Sequence, residues 1–158
     1  MELIQVRRSV IEPALALLPA RMTSPPANAM LLGIGLQESG FLYRRQLGNG
    51  PARSFWQMER GGGVHGVLTH PASAKLAGGI CAQRGVEPSE QAVWEAIEQD
   101  DILAAALARL LLWTDAQALP ALGDTAGGWA LYARVWRPGK PRPAEWPANY
   151  LKAVGAAA

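Results

Sequence analysis

Glu38 closes an otherwise apolar run, LLGIGLQESGF, at residues 31–41. Leu31, Ile34 and Phe41 flank it at helical spacing, so an acid lies on the stripe that should build the core. A carboxylate in the last turn of a helix, on its apolar side, loses water and faces the negative end of the helix dipole. Both effects disfavour charge and raise the pKa. A carboxyl still protonated near neutral pH is suited to general-acid work. The competing reading puts Glu38 at the edge of the stripe, in water or paired with Arg44 or Arg45.

Other side chains could join such chemistry. Ser39 follows the acid; it could hydrogen-bond in a cleft or bond back to its own helix. Glu59 is a possible second carboxylate, with a salt bridge to Arg53 or Arg60 as its alternative. Two carboxyls on opposite faces of a sugar are what direct hydrolysis needs. Six tryptophans are many for this length. Trp56, Trp129 and Trp136 offer flat apolar faces for sugar stacking, and Trp56 is favoured because it adjoins Gln57. His65, His70 and Cys81 have no zinc-like spacing, so no metal site is predicted. The glycines at 61–63 lack the Lys-Ser/Thr of a phosphate loop, and no cofactor is predicted.

The elements that would position these residues are mostly helical. A first helical region covers about residues 2–20, with Pro13 kinking or restarting it. Ser24 caps a helix that runs to Ser39, and Gly40 closes it. Residues 42–66 are glycine-dense around ARSFWQME, and a small β region is expected at 48–66. Helices resume after Pro71, and Ser89 caps another through Ile97. DDILAAALARLLLW is apolar almost all round, which predicts a buried central helix. Asp124 caps TAGGWALYARVW, Arg137-Pro138-Gly139 stops it, and PANYLKAV forms a last short helix. The expectation is one mainly α (α+β) domain over residues 1–158.

Composition bounds the function. The chain has 158 residues, a formal net charge of +2 and one cysteine. That length can bury a substantial core. The small charge is far from a nucleic-acid-binding signature, and a lone cysteine excludes an internal disulfide. No run reaches the roughly 18–20 apolar residues of a membrane span, so no membrane insertion is expected. MELIQVRRSV does not read as a signal peptide. Cytoplasmic synthesis is expected, with any action elsewhere depending on another route.

GLQESGF resembles the Glu-Ser-Gly-Phe signature of the lysozyme-like superfamily, in particular soluble lytic transglycosylases and goose-type lysozymes. ARSFWQME stands where that family has a Gly-Leu-Met-Gln element, with Gln57 matching its glutamine. DDILAAALARLLLW resembles the family's long buried helix. GGWALYARVW resembles its Ala-x-Tyr-Asn-x-Gly helix, with Tyr132 matching the tyrosine that contacts the catalytic acid. The resemblance spans about residues 24–140. Phe55-Trp56 replaces the smaller pair, Ala133 stands in place of Asn, and RPGKPRPAEWPANY has no counterpart. The resemblance implies a lysozyme-like fold that cleaves the β-1,4 bond between peptidoglycan sugars. Glu38 would be the general acid, and Ser39, Gln57, Tyr132 and Trp56 would orient acid or substrate. Lytic transglycosylation is favoured over hydrolysis, because it needs one carboxyl. The partner would be a peptidoglycan glycan strand, met by a bacteriophage lysin or a part of a virion or secretion machine. The alternative is a non-cutting structural or adaptor protein of a phage particle or secretion apparatus on the same scaffold.

Overall fold

Side-chain caps decide where four of the helices begin. Ser24 accepts from the Ala27 N–H at 3.2 Å and Ser89 from Ala92 at 3.3 Å. Asp100 accepts from Leu103 and Asp124 from Gly127, both at 2.9 Å. Each satisfies an amide that the first helical turn leaves without a partner. The computed structural model describes all residues from Met1 to Ala158, and it is mainly helical.

The chain runs through α1 (Leu3–Val6), a π turn (Arg7–Ile11), α2 (Glu12–Leu15) and a 3₁₀ turn (Ala20–Met22) into α3 (Pro25–Glu38). A second π turn (Arg60–Val64) leads into α4 (His65–Thr69). Then come α5 (Ala74–Gln83), α6 (Glu90–Ala96), α7 (Asp101–Trp113), α8 (Thr125–Trp136) and α9 (Trp146–Ala156). Pro13 neither breaks nor kinks the first region sharply. It sits in the first turn of α2, and the π turn ahead of it takes up the mismatch, with the Glu12 N–H bonding Arg7 O. The final helix is longer than PANYLKAV, because Trp146 and Gly155-Ala156 belong to it.

Two helices lie inside. Every residue of α7 from Leu103 to Leu112 is buried, including Arg109, whose Nε donates to Met22 O at 2.9 Å. Burial pulls the Arg109 pKa down to about 10. In α3, residues 27–35 are buried on every side rather than along one stripe. α3 packs chiefly on α9, and α7 against α2, α3, α4, α5 and α8. Glycines let the aromatic face of α9 come close. A Cβ at Gly33 of α3 would lie 3.3 Å from Tyr150 and 3.4 Å from Trp146, and one at Gly128 of α8 would lie 3.1 Å from Trp146. Tyr132, Trp146 and Tyr150 form a stacked column there, with centroids 5.2 and 5.3 Å apart.

The small β region expected at 48–66 is not formed. Only isolated bridges, Arg45 to Arg53 and Arg53 to Met58, are present, and residues 60–69 are helical. The reason lies in the backbone and in burial. Asn49, Ser54 and Gln57 all have positive φ, which no ladder tolerates. Ser54, Phe55 and Trp56 are consecutively buried, whereas a strand turns alternate residues to opposite faces. The segment is a looped hairpin tip closed by reciprocal Arg53–Met58 backbone bonds of 2.9 and 2.8 Å.

Past α3 the chain reverses on two left-handed residues, Gly40 and Phe41, at φ 62° and 56°. This turns the Phe41 ring back over Gly35, where a Cβ would lie 2.1 Å from the ring. Phe41 also packs edge-on against Phe55 and Trp56. The end of α3 is therefore locked by a side chain that needs a glycine one turn earlier. Gly35→Ala should lower stability by about 1–3 kcal/mol through overpacking. Gly79→Ala, in open space on α5, should gain up to about 1 kcal/mol from helix propensity. Thermal melts of both variants test this, and equal effects would contradict the Phe41 lock.

Candidate functional site

Glu38 is the last residue of α3 and lines an open cleft of about 1110 Å³. Its carboxyl meets α8 across the cleft floor. The Tyr132 hydroxyl donates to Glu38 Oε1 at 2.6 Å. Tyr132 is held by its stack on Trp146 and by Trp129, 5.4 Å away. Burial is the main influence on Glu38 and raises its pKa above 4.5. The Tyr132 hydrogen bond and the positive charge of Arg142 pull the other way without cancelling it. Burial, with the Glu38 charge beside it, also pushes the Tyr132 phenol up, so it stays a donor. The arrangement is a partly desolvated carboxyl with one oxygen fixed by a phenol.

The end of α3 is neutralised carbonyl by carbonyl. Tyr43 O–H donates to Glu38 O at 3.0 Å, and an Arg142 guanidinium N–H donates to Gln37 O. Gln37 returns a bond from Nε2 to Arg142 O at 3.0 Å, and Asn149 Nδ2 donates to Gln37 Oε1 at 2.9 Å. These bonds tie α3, the proline-rich strap and α9 together beside the acid. Gln37, Arg142, Trp146 and Asn149 were not singled out from the sequence. The available signal was Trp146, Asn149 and Tyr150 at i, i+3, i+4, a face made for packing against a helix.

Arg44 and Arg45 do not pair with Glu38. Arg44 grips Asp101 at 2.8 and 2.7 Å, and Arg45 grips Glu98 at 2.8 and 2.9 Å. Ser39 is 4 % exposed and does not reach into the cleft. Its hydroxyl donates to Phe55 O at 2.8 Å and accepts from the Phe41 N–H at 3.1 Å, so it fastens the helix end to the hairpin tip. Trp56 is fully buried and cannot stack on a sugar. Its Nε1 donates to Leu31 O at 2.9 Å, because the loop drives the ring under α3. Trp136 lines the cleft instead, its Nε1 bonded to Trp56 O at 2.8 Å. Trp129 is half-buried against Tyr132 and Trp146.

Gln57 lines the same cleft as Glu38. Its backbone is left-handed at φ 49°, and its Nε2 donates to Ser54 O at 2.7 Å. Glu59 is an exposed residue of the cleft wall. It takes neither expected partner, since Arg53 lies 3.4 Å from Glu98 and Arg60 donates to Gln91 at 2.8 Å. His65 pairs with Glu90, His70 Nδ1 accepts from the Ala72 N–H, and Cys81 is buried in the core.

Fold and site together define a mainly helical protein with a proton-retaining carboxyl in a broad cleft. Comparison of the chain with protein-family models, curated proteins and solved structures gives no match. No helix is long and apolar enough to cross a membrane.

A carboxyl whose folded pKa is raised stabilises the fold only while protonated. That contribution is complete below 4.5, the ordinary value, and is lost as pH rises through the folded value. Glu38→Gln keeps an acceptor for Tyr132 and never ionises. The variant should therefore melt higher than wild type at pH 7, with the gap closing as the pH falls below 4.5. Melts across that range test it; a less stable variant at pH 7 would contradict the assigned desolvation.

Proposed function

We propose that this protein is a peptidoglycan-cleaving glycosidase of lysozyme-like fold. It acts on the β-1,4 bond between N-acetylmuramic acid and N-acetylglucosamine, with Glu38 as general acid. The observation that carries the reading is the 2.6 Å bond from Tyr132 to Glu38 at the end of a buried helix, in a cleft. That is the contact the Glu-Ser-Gly-Phe resemblance implies, reached by two segments 94 residues apart.

The chemistry follows from which oxygen is free. Tyr132 occupies Oε1 as a donor, so the transferable proton sits on Oε2. Oε2 protonates the glycosidic oxygen as its bond to the muramic acid C1 breaks. The resulting carboxylate then accepts the proton of the sugar's own C6 hydroxyl as that oxygen bonds C1. The products are a 1,6-anhydro end and a free 4-hydroxyl, with atoms and protons balanced. Hydrolysis would instead use Glu59 to activate water, at a separation of about 6.5–9.5 Å from Glu38. The single desolvated acid favours the one-carboxylate route. Gln57 and Trp136 line the cleft where sugar amides and faces would lie.

Purified protein digesting peptidoglycan, with products resolved by mass spectrometry, should release anhydro-muropeptides. Glu38→Gln should lose about two to four orders of magnitude in rate. Tyr132→Phe should lose roughly 10- to 100-fold, the worth of a hydrogen bond to a charged group. Reducing ends that vanish in Glu59→Gln would replace transglycosylation with two-carboxylate hydrolysis. No products at all would favour the non-cutting adaptor.

A further inference from the structure

We propose that Arg137 and Lys140 form an anion subsite on the rim of the cleft, which takes the carboxylates of the peptide stems on the glycan. The proposal rests on the glycosidase reading and names the part of the substrate that this wall would recognise.

The first argument is charge pairing. Four Lys or Arg side chains line the cleft: Arg134, Arg137, Lys140 and Arg142. Arg134 is held by Asp115 and Arg142 by Glu145, each at 2.8 Å. Arg137 and Lys140 are exposed and have no carboxylate within salt-bridge reach and no side-chain hydrogen bond. This is not the habit of the molecule, because Arg7, Arg44, Arg45, Arg53 and Arg84 all have acidic partners.

The second argument is backbone conformation. Arg137 ends α8 in the left-handed region, at φ 50° and ψ 57°. Glycine is the usual residue there, since a Cβ costs about 1–2 kcal/mol. A side chain is kept at a position where its absence would be easier on the backbone. The strap it begins is also stiff. Pro138, Pro141 and Pro143 restrict it, Trp136 anchors its start to Trp56 O, and the reciprocal Gln37–Arg142 bonds anchor its end. Cations presented on a fixed strap lose less freedom on binding than cations on a loose loop.

The third argument is the polarity of the cleft. Glu59 is exposed on its wall and Glu38 lies within it, while the unpaired cations are confined to the strap after α8. Lys140 is two residues from Arg142, whose charge is felt by Glu38. A ligand that lays a glycosidic bond at Glu38 would set its side-arm against the strap. A glycan bearing carboxylates on alternate sugars matches that arrangement; a neutral glycan leaves the two cations without partners.

The test compares two substrates: peptidoglycan strands with their peptides, and the same strands freed of peptide by an amidase. Wild type should show a higher kcat/KM on the peptide-bearing strands, mostly through KM, with the preference fading as salt rises. The double variant Arg137→Ala/Lys140→Ala should lower the ratio of the two kcat/KM values about tenfold, the scale of one lost charge contact. Arg137→Lys should keep most of it, and thermal melts should show both variants folded. A ratio unchanged in the double variant, or a wild type without preference, overturns the subsite while leaving the glycosidase reading standing. A folded wild type that cuts neither substrate overturns that reading, and the subsite with it.

Discussion

The Tyr132 hydroxyl donating to Glu38 at 2.6 Å is the contact that the rest of the site depends on. A carboxyl at the C-terminal end of a buried helix is in the wrong place for a negative charge. Burial and the helix dipole both oppose ionisation. The structure tolerates it because hydrogen bonds and one arginine relieve the helix end without removing the burial. The outcome is an acid held in one rotamer, with one oxygen engaged and a pKa above the ordinary value.

Placing the phenol falls to the C-terminal third of the chain. Tyr132 belongs to α8 but is fixed by Trp146 of α9, stacked within 5° of parallel. α9 reaches α3 because Gly33 and Gly128 leave room for its aromatic face. The strap between α8 and α9 closes the circuit through Arg142 and Gln37. The acid, its phenol partner and the cationic rim thus share one mechanical unit.

Much of this was legible in the sequence. The capping residues Ser24, Ser89, Asp100 and Asp124 announce their helices, because caps act over three residues. The apolar run ending in Glu38 and the all-round apolar α7 are likewise local patterns. ARSFWQME misled because its alternation is strand-like on paper. Arg53–Met58 closes it into a loop, and three positive-φ residues that no local rule demands turn consecutive side chains inward. That choice is tertiary: Trp56 is drawn under α3 and its indole N–H finds Leu31 O. Arg142 and Gln37 were hidden for the same reason, since 105 residues separate them and each looks like a surface polar residue.

The most direct test of the account is the titration of Glu38 itself. The protein can be labelled with ¹³C at the side-chain carboxyls of glutamate, and each carbon followed by NMR from acid to neutral pH. Glu38→Gln assigns the resonance by its disappearance. The account predicts that Glu38 titrates above 4.5, the ordinary value, and above the exposed glutamates of the same molecule. A Glu38 that titrates at or below 4.5 would mean that Tyr132 and Arg142 outweigh burial, leaving a carboxylate with no proton to give near neutral pH.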